Sequence, residues 1–111
     1  MTIQRPLDTN ASGIFDANGV ARVRLGPQVF GETWRVRRMT VSSSSPAGET
    51  DARVYLNSEI ATRMVAGSYS GNQDFNETDV TLQTLDTLIV VWNGGTPGAR
   101  ADFLLQGLKE R

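Results

Sequence analysis

Residues 88–106 read Leu88-Ile89-Val90-Val91-Trp92-Asn93-Gly94-Gly95-Thr96-Pro97-Gly98-Ala99-Arg100-Ala101-Asp102-Phe103-Leu104-Leu105-Gln106, and their pattern decides the fold class. The first five are apolar without interruption, as expected of a central strand or of one covered on both faces. Asn93 to Gly98 is a cluster of turn-formers. Beyond it Ala99, Ala101, Phe103 and Leu105 alternate with polar or outward positions, the period-2 pattern of a half-buried strand. Two such runs around a short reversal predict an antiparallel hairpin.

Working outward, the same alternation recurs. In Val20-Ala21-Arg22-Val23-Arg24-Leu25, the residues Ala21, Val23 and Leu25 share one face, and Arg22 and Arg24 the other. Gly26-Pro27 ends that strand, because proline cannot donate to a central ladder. From Thr33 to Val41 the inward set starts as Trp34 and Val36, then changes phase to Met39 and Val41, which predicts a bulge or a strand buried differently at its two ends. Ser42 to Glu49 reads as an exposed loop. Ala52, Val54 and Leu56 resume the inward alternation; Arg63 to Tyr69 is a weaker strand, Gly71-Asn72 a turn, and Val80 with Leu82 belong to a further strand.

These runs predict an all-β antiparallel β-sandwich, Ig-like or jelly-roll, of about seven to eight strands, with a single closed barrel as the alternative. The expected organisation is an extended N-terminal arm over 1–18, a sandwich domain over 19–107 and a frayed C-terminal tail over 108–111. The arm carries Ile3, Leu7, Ile14 and Phe15 as anchors, and the pattern leaves open whether it docks on its own domain or on a neighbour. Trp34 and Trp92 read as core anchors.

Composition removes several classes of chemistry. The chain has 111 residues, no cysteine and no histidine, so thiol chemistry, zinc fingers and histidine-based triads are excluded together. The single lysine, Lys109, lies near the end of the sequence, which argues against Ser-Lys and Schiff-base mechanisms. Eleven basic against twelve acidic residues give no field to gather nucleic acid. No apolar run approaches the roughly 20 residues of a membrane helix, and residues 1–10 lack the pattern of a secretion signal, so a soluble domain is expected. Carboxylate pairs such as Glu49 with Asp51, or Glu77 with Asp79, would need a deep cleft to act as a glycosidase. The oxygen-rich run Asn72 to Asp79 suggests a calcium loop, but lacks EF-hand spacing, and such residues are ordinary in turns. No catalytic, cofactor-binding or metal residue is assigned, and no cofactor is expected. The outward arginines, Arg22 with Arg24 and Arg35 with Arg37, suit a protein interface or an anionic ligand.

The run Tyr69-Ser70-Gly71-Asn72-Gln73-Asp74, then Asp79-Val80-Thr81-Leu82, then Val90 to Ala99, resembles small structural proteins from tailed phages of actinobacteria. Val23-Arg24-Leu25-Gly26-Pro27 leading into Trp34-Arg35-Val36 resembles them also. The resemblance implies a non-enzymatic virion protein, a minor tail or tail-tip component, with capsid decoration as the nearest variant. It brings no active-site motif. The partners it implies are copies of the chain and other virion proteins, with neither nucleic acid nor membrane. The alternative is a carbohydrate-binding module for a host-surface glycan, presenting the loops 42–50, 71–79 and 93–98 with Tyr55, Tyr69 and Phe75 for stacking.

Overall fold

In β2 (Ala21–Leu25) the alternation does what it predicts: Ala21 and Val23 are buried while Arg22 and Arg24 are exposed. The same rule builds the other strands of the computed structural model, which describes residues 4–44, 50–69 and 73–111. They are β1 (Gln4–Ile14), β3 (Thr33–Ser43), β4 (Asp51–Leu56), β5 (Met64–Tyr69), β6 (Gln73–Leu82), β7 (Leu88–Asn93) and β8 (Arg100–Glu110), with a 3₁₀ turn at Ala61–Arg63.

The strands form two four-stranded sheets, β1-β8-β3-β6 and β2-β7-β4-β5. All pairings are antiparallel, and they nest: β1 with β8, β2 with β7, β3 with β6, β4 with β5. The chain is thus one long ribbon, reversed between β4 and β5 and folded so that successive rungs alternate between the sheets. That is the jelly roll, which decides between the two expected sandwich types. Between the layers lie Leu7, Trp34, Val36, Met39, Val41, Leu82, Phe103 and Leu105 from the first sheet, and Val23, Val54, Leu88, Val90 and Trp92 from the second. Both tryptophans are core residues, as expected.

The phase change in β3 is a bulge. The register of β3 shifts between Val36 and Arg38 against both neighbours, so Trp34 and Val36 before it, and Met39 and Val41 after it, all face the core. Opposite the bulge stands Gly107, where a side chain would collide with the Arg35 carbonyl. The unbroken apolar run of β7 also has its reason. β7 is central, and its outer-face residues are flanked in register, Val91 by Arg22 and Arg53, Ile89 by Arg24 and Tyr55. The aliphatic stems of such arginines cover apolar surface while their heads stay wet. Glu59, in the segment after β4, reaches back to Arg22 at 3.0 Å and adds to that cover.

Four expectations are corrected. Strands β7 and β8 do not form a hairpin; they lie in different sheets, and residues 94–99 cross between them. Ribbon nesting explains this, because the crossing runs beside the β1–β2 corner and bonds to it: Gly95 N–H donates to the Gly19 carbonyl at 3.0 Å, and Gly98 N–H to that of Phe15 at 2.9 Å. The arm expected over 1–18 supplies β1, paired with β8 from Gln4 to Ile14, so it docks on its own domain. A polar, proline-containing segment suits an edge strand, which needs only one apolar face. Of its anchors Leu7 and Phe15 are buried, Ile14 is 61% exposed, and Ile3 lies outside the described residues. The tail is not frayed, because β8 has partners on both sides up to Glu110, opposite Gln4 and Thr33. Finally, the expected loop 71–79 is strand from Gln73 onward. The turn at Gly71-Asn72 and the loop residues 45–49 lie outside the described residues.

Candidate functional site

One end of the sandwich collects the β2–β3 corner (26–32), the β6–β7 corner (83–87), the β4–β5 segment (57–63) and the outer ends of β1 and β8. The two corners are tied together because they are the two sides of the folded ribbon. Leu85 N–H donates to the Pro27 carbonyl at 3.0 Å. The Thr84 hydroxyl accepts from Gly31 N–H at 3.0 Å and donates to the Glu32 carbonyl at 3.1 Å. Asp86 accepts from Gln83 N–H at 2.9 Å and from the Asn57 amide at 3.2 Å, and Asn57 Oδ1 accepts from Thr87 N–H at 2.8 Å. These bonds replace the ladder that the corners lack.

On the two corners stand three exposed apolar side chains, Phe30 at 93% exposure, Leu85 at 72% and Val29 at 41%, and Ile60 in the 57–63 segment is 53% exposed. Leu85 is the third residue of the turn Gln83 to Asp86, closed by Asp86 N–H to the Gln83 carbonyl at 2.9 Å, and has φ of 73°. A β-turn with positive φ at that position ordinarily takes glycine. A leucine there costs roughly 1–2 kcal/mol of backbone strain, and it gains no burial in return.

Beside this crest, Arg5, Glu32, Lys109, Glu110 and Arg111 line an open cleft of about 270 Å³. Glu32 belongs to both features, since its carbonyl anchors Thr84 while its carboxylate accepts from Trp34 Nε1–H at 2.7 Å.

The residues weighed from sequence lie elsewhere. Asp51 pairs with Arg53 at 3.4 Å across exposed surface, and Glu49 lies outside the described residues. Asp79 is an exposed residue of β6, and nothing is described of the Glu77, Tyr69 and Phe75 side chains. Tyr55 is half-buried on the outer face of β4 beside Ile89. The arginines Arg22 and Arg24 lie on the outer face of β2, and of the expected pair Arg35 and Arg37 the second is an exposed residue at the bulge, without a place in either register. Phe30 and Leu85 escaped the pattern reading. The available signal was a pair of large apolar residues inside turn-forming stretches, out of phase with the strands on either side.

No protein-family model matches the chain, and no curated protein does. Three solved structures are similar to it at low identity. A periplasmic lysozyme inhibitor of g-type lysozyme from Aeromonas hydrophila is 11% identical over 94% of this chain and 86% of its own, with a TM-score of 0.46. An exo-β-1,3-galactanase from Phanerochaete chrysosporium is 12% identical over 96% of this chain and 27% of its own, with a TM-score of 0.39. The IMPa metallopeptidase of Pseudomonas aeruginosa is 18% identical over 96% and 12%, with a TM-score of 0.33.

Proposed function

We propose that the chain is a non-enzymatic virion subunit of a tailed phage, a minor tail or tail-tip component, which works by seating its Val29–Phe30–Leu85 crest in a neighbouring protein of the particle. The observation that carries the reading is Leu85: a strained backbone position occupied by an exposed apolar side chain. Strain of this kind persists where the residue serves a contact, and apolar groups on a rigid corner lose little entropy when they dock. The turn and core motifs that resemble actinobacteriophage structural proteins point to the particle as the setting. The jelly roll occurs in viral capsid domains, a fold-level analogy only, since it occurs in lectins too.

The test is incorporation. Gradient-purified particles are expected to contain the chain, and particles assembled with Leu85→Gly in its place are expected to lack it although that variant folds. Particles free of the wild-type chain would sink the virion reading. Immunogold label on heads rather than tails would replace the tail assignment by capsid decoration.

A further inference from the structure

Arg5 and Lys109 face each other directly across the β1–β8 ladder, on the face that buries Leu7 and Trp34. Directly opposed side chains on one sheet face sit about 5 Å apart at Cβ, and like charges so placed repel. Arg111, two residues past Lys109, brings a third cation to the same cleft. Both acidic residues of the lining are already engaged: Glu32 with the Trp34 indole, and Glu110 with Gln4 at 2.9 Å and Arg35 at 3.9 Å. None of the three cations has an ion-pair partner among the described residues.

We propose that Arg5, Lys109 and Arg111 form a carboxylate-accepting cleft for an acidic segment of the protein that seats on the crest. The proposal rests on the reading of the crest as a docking surface. Charge complementarity selects the occupant, because two guanidinium groups and an ammonium outnumber the two carboxylates of the lining, whose oxygens are already held by Trp34, Gln4 and Arg35, and carboxylates fit guanidinium forks two bonds at a time. Glu32 couples the parts: it walls the cleft and holds Thr84, one residue from Leu85. A partner offering an apolar pocket with an acidic rim would meet both features at once.

A blocked pentaglutamate peptide is the probe, titrated into the full chain by calorimetry at low salt. Wild type is expected to bind, and Arg5→Gln with Lys109→Gln to weaken binding by roughly tenfold or more, the loss expected for about one charge-assisted contact. Arg53→Gln with Arg100→Gln, two exposed arginines away from this end of the sandwich, should change it less than about twofold. The same cleft variant should melt at a higher temperature than wild type at low salt, because repulsion is relieved, with the difference vanishing near 1 M salt. The cleft is overturned by absent peptide binding, by equal binding in the cleft variant, by equal loss in the control pair, or by tighter binding of a deoxythymidine decamer, which would indicate a nucleic-acid partner. The two readings fail separately. Incorporation into particles with no peptide binding overturns the cleft alone, and peptide binding by a chain missing from particles overturns the virion assignment alone.

Discussion

Leu85 holds a backbone conformation in which its Cβ crowds the following carbonyl, and its side chain stands in water. Leu85→Gly relieves about 1–2 kcal/mol of strain and returns about 0.4–1 kcal/mol through the freer unfolded chain. A net gain of up to about 1.6 kcal/mol in urea denaturation is therefore expected, together with loss of docking; a loss of stability would mean that the side chain packs. The tryptophans differ in the same terms. Trp92 is fully buried, and its Nε1 has no hydrogen-bond partner among the described residues, so its contribution is packing, and Trp92→Ala should cost about 3–5 kcal/mol. Trp34 adds its bond to Glu32, so Glu32→Ala should cost about 1 kcal/mol in the same assay through a side chain that buries little itself.

At the scale of elements, β1 is the point where structure and expectation part most. It closes one edge of the first sheet and buries Leu7 against the core. Deleting residues 1–14 should strip that cover from β8 and abolish the cooperative thermal transition; a truncated chain that still melts cooperatively would restore the picture of a detachable arm. The β3 bulge offers a sharper probe. Gly107→Ala puts a methyl group against the Arg35 carbonyl, and the backbone shift that follows should cost about 1–3 kcal/mol by chemical denaturation. An effect near zero would show that the bulge yields. The β7–β8 crossing depends on contact in the same way, since Phe15 packs where a side chain on Gly95 would lie.

For the whole molecule, the nested ribbon brings residues far apart in sequence to one end, so that Arg5, Phe30, Leu85 and Lys109 share a surface. Association through that end combines an apolar crest with a cationic cleft, so affinity for the partner should fall as ionic strength rises but reach a plateau set by the crest. Surface plasmon resonance over 0.05 to about 1 M salt checks this; no salt dependence would remove the cleft from the interface, and complete loss at high salt would remove the crest. The sequence by itself determined the class of the fold and most of its core, because inward and outward faces are written as a period-2 alternation that each strand carries locally: Val23 and Arg24, Trp34 and Val36, Phe103 and Leu105 take their faces from that alternation alone. It also signalled the β3 bulge, since a slip of one residue leaves a visible change of phase. Only the tertiary structure decided which strands pair, that residues 4–14 belong to a sheet, and that two corners and two strand ends make one surface. Pairing is a contest among all strand edges, settled by how the ribbon folds over its core, and neither an edge strand half polar by necessity nor a strained leucine in a turn leaves a local pattern that distinguishes it from a loop.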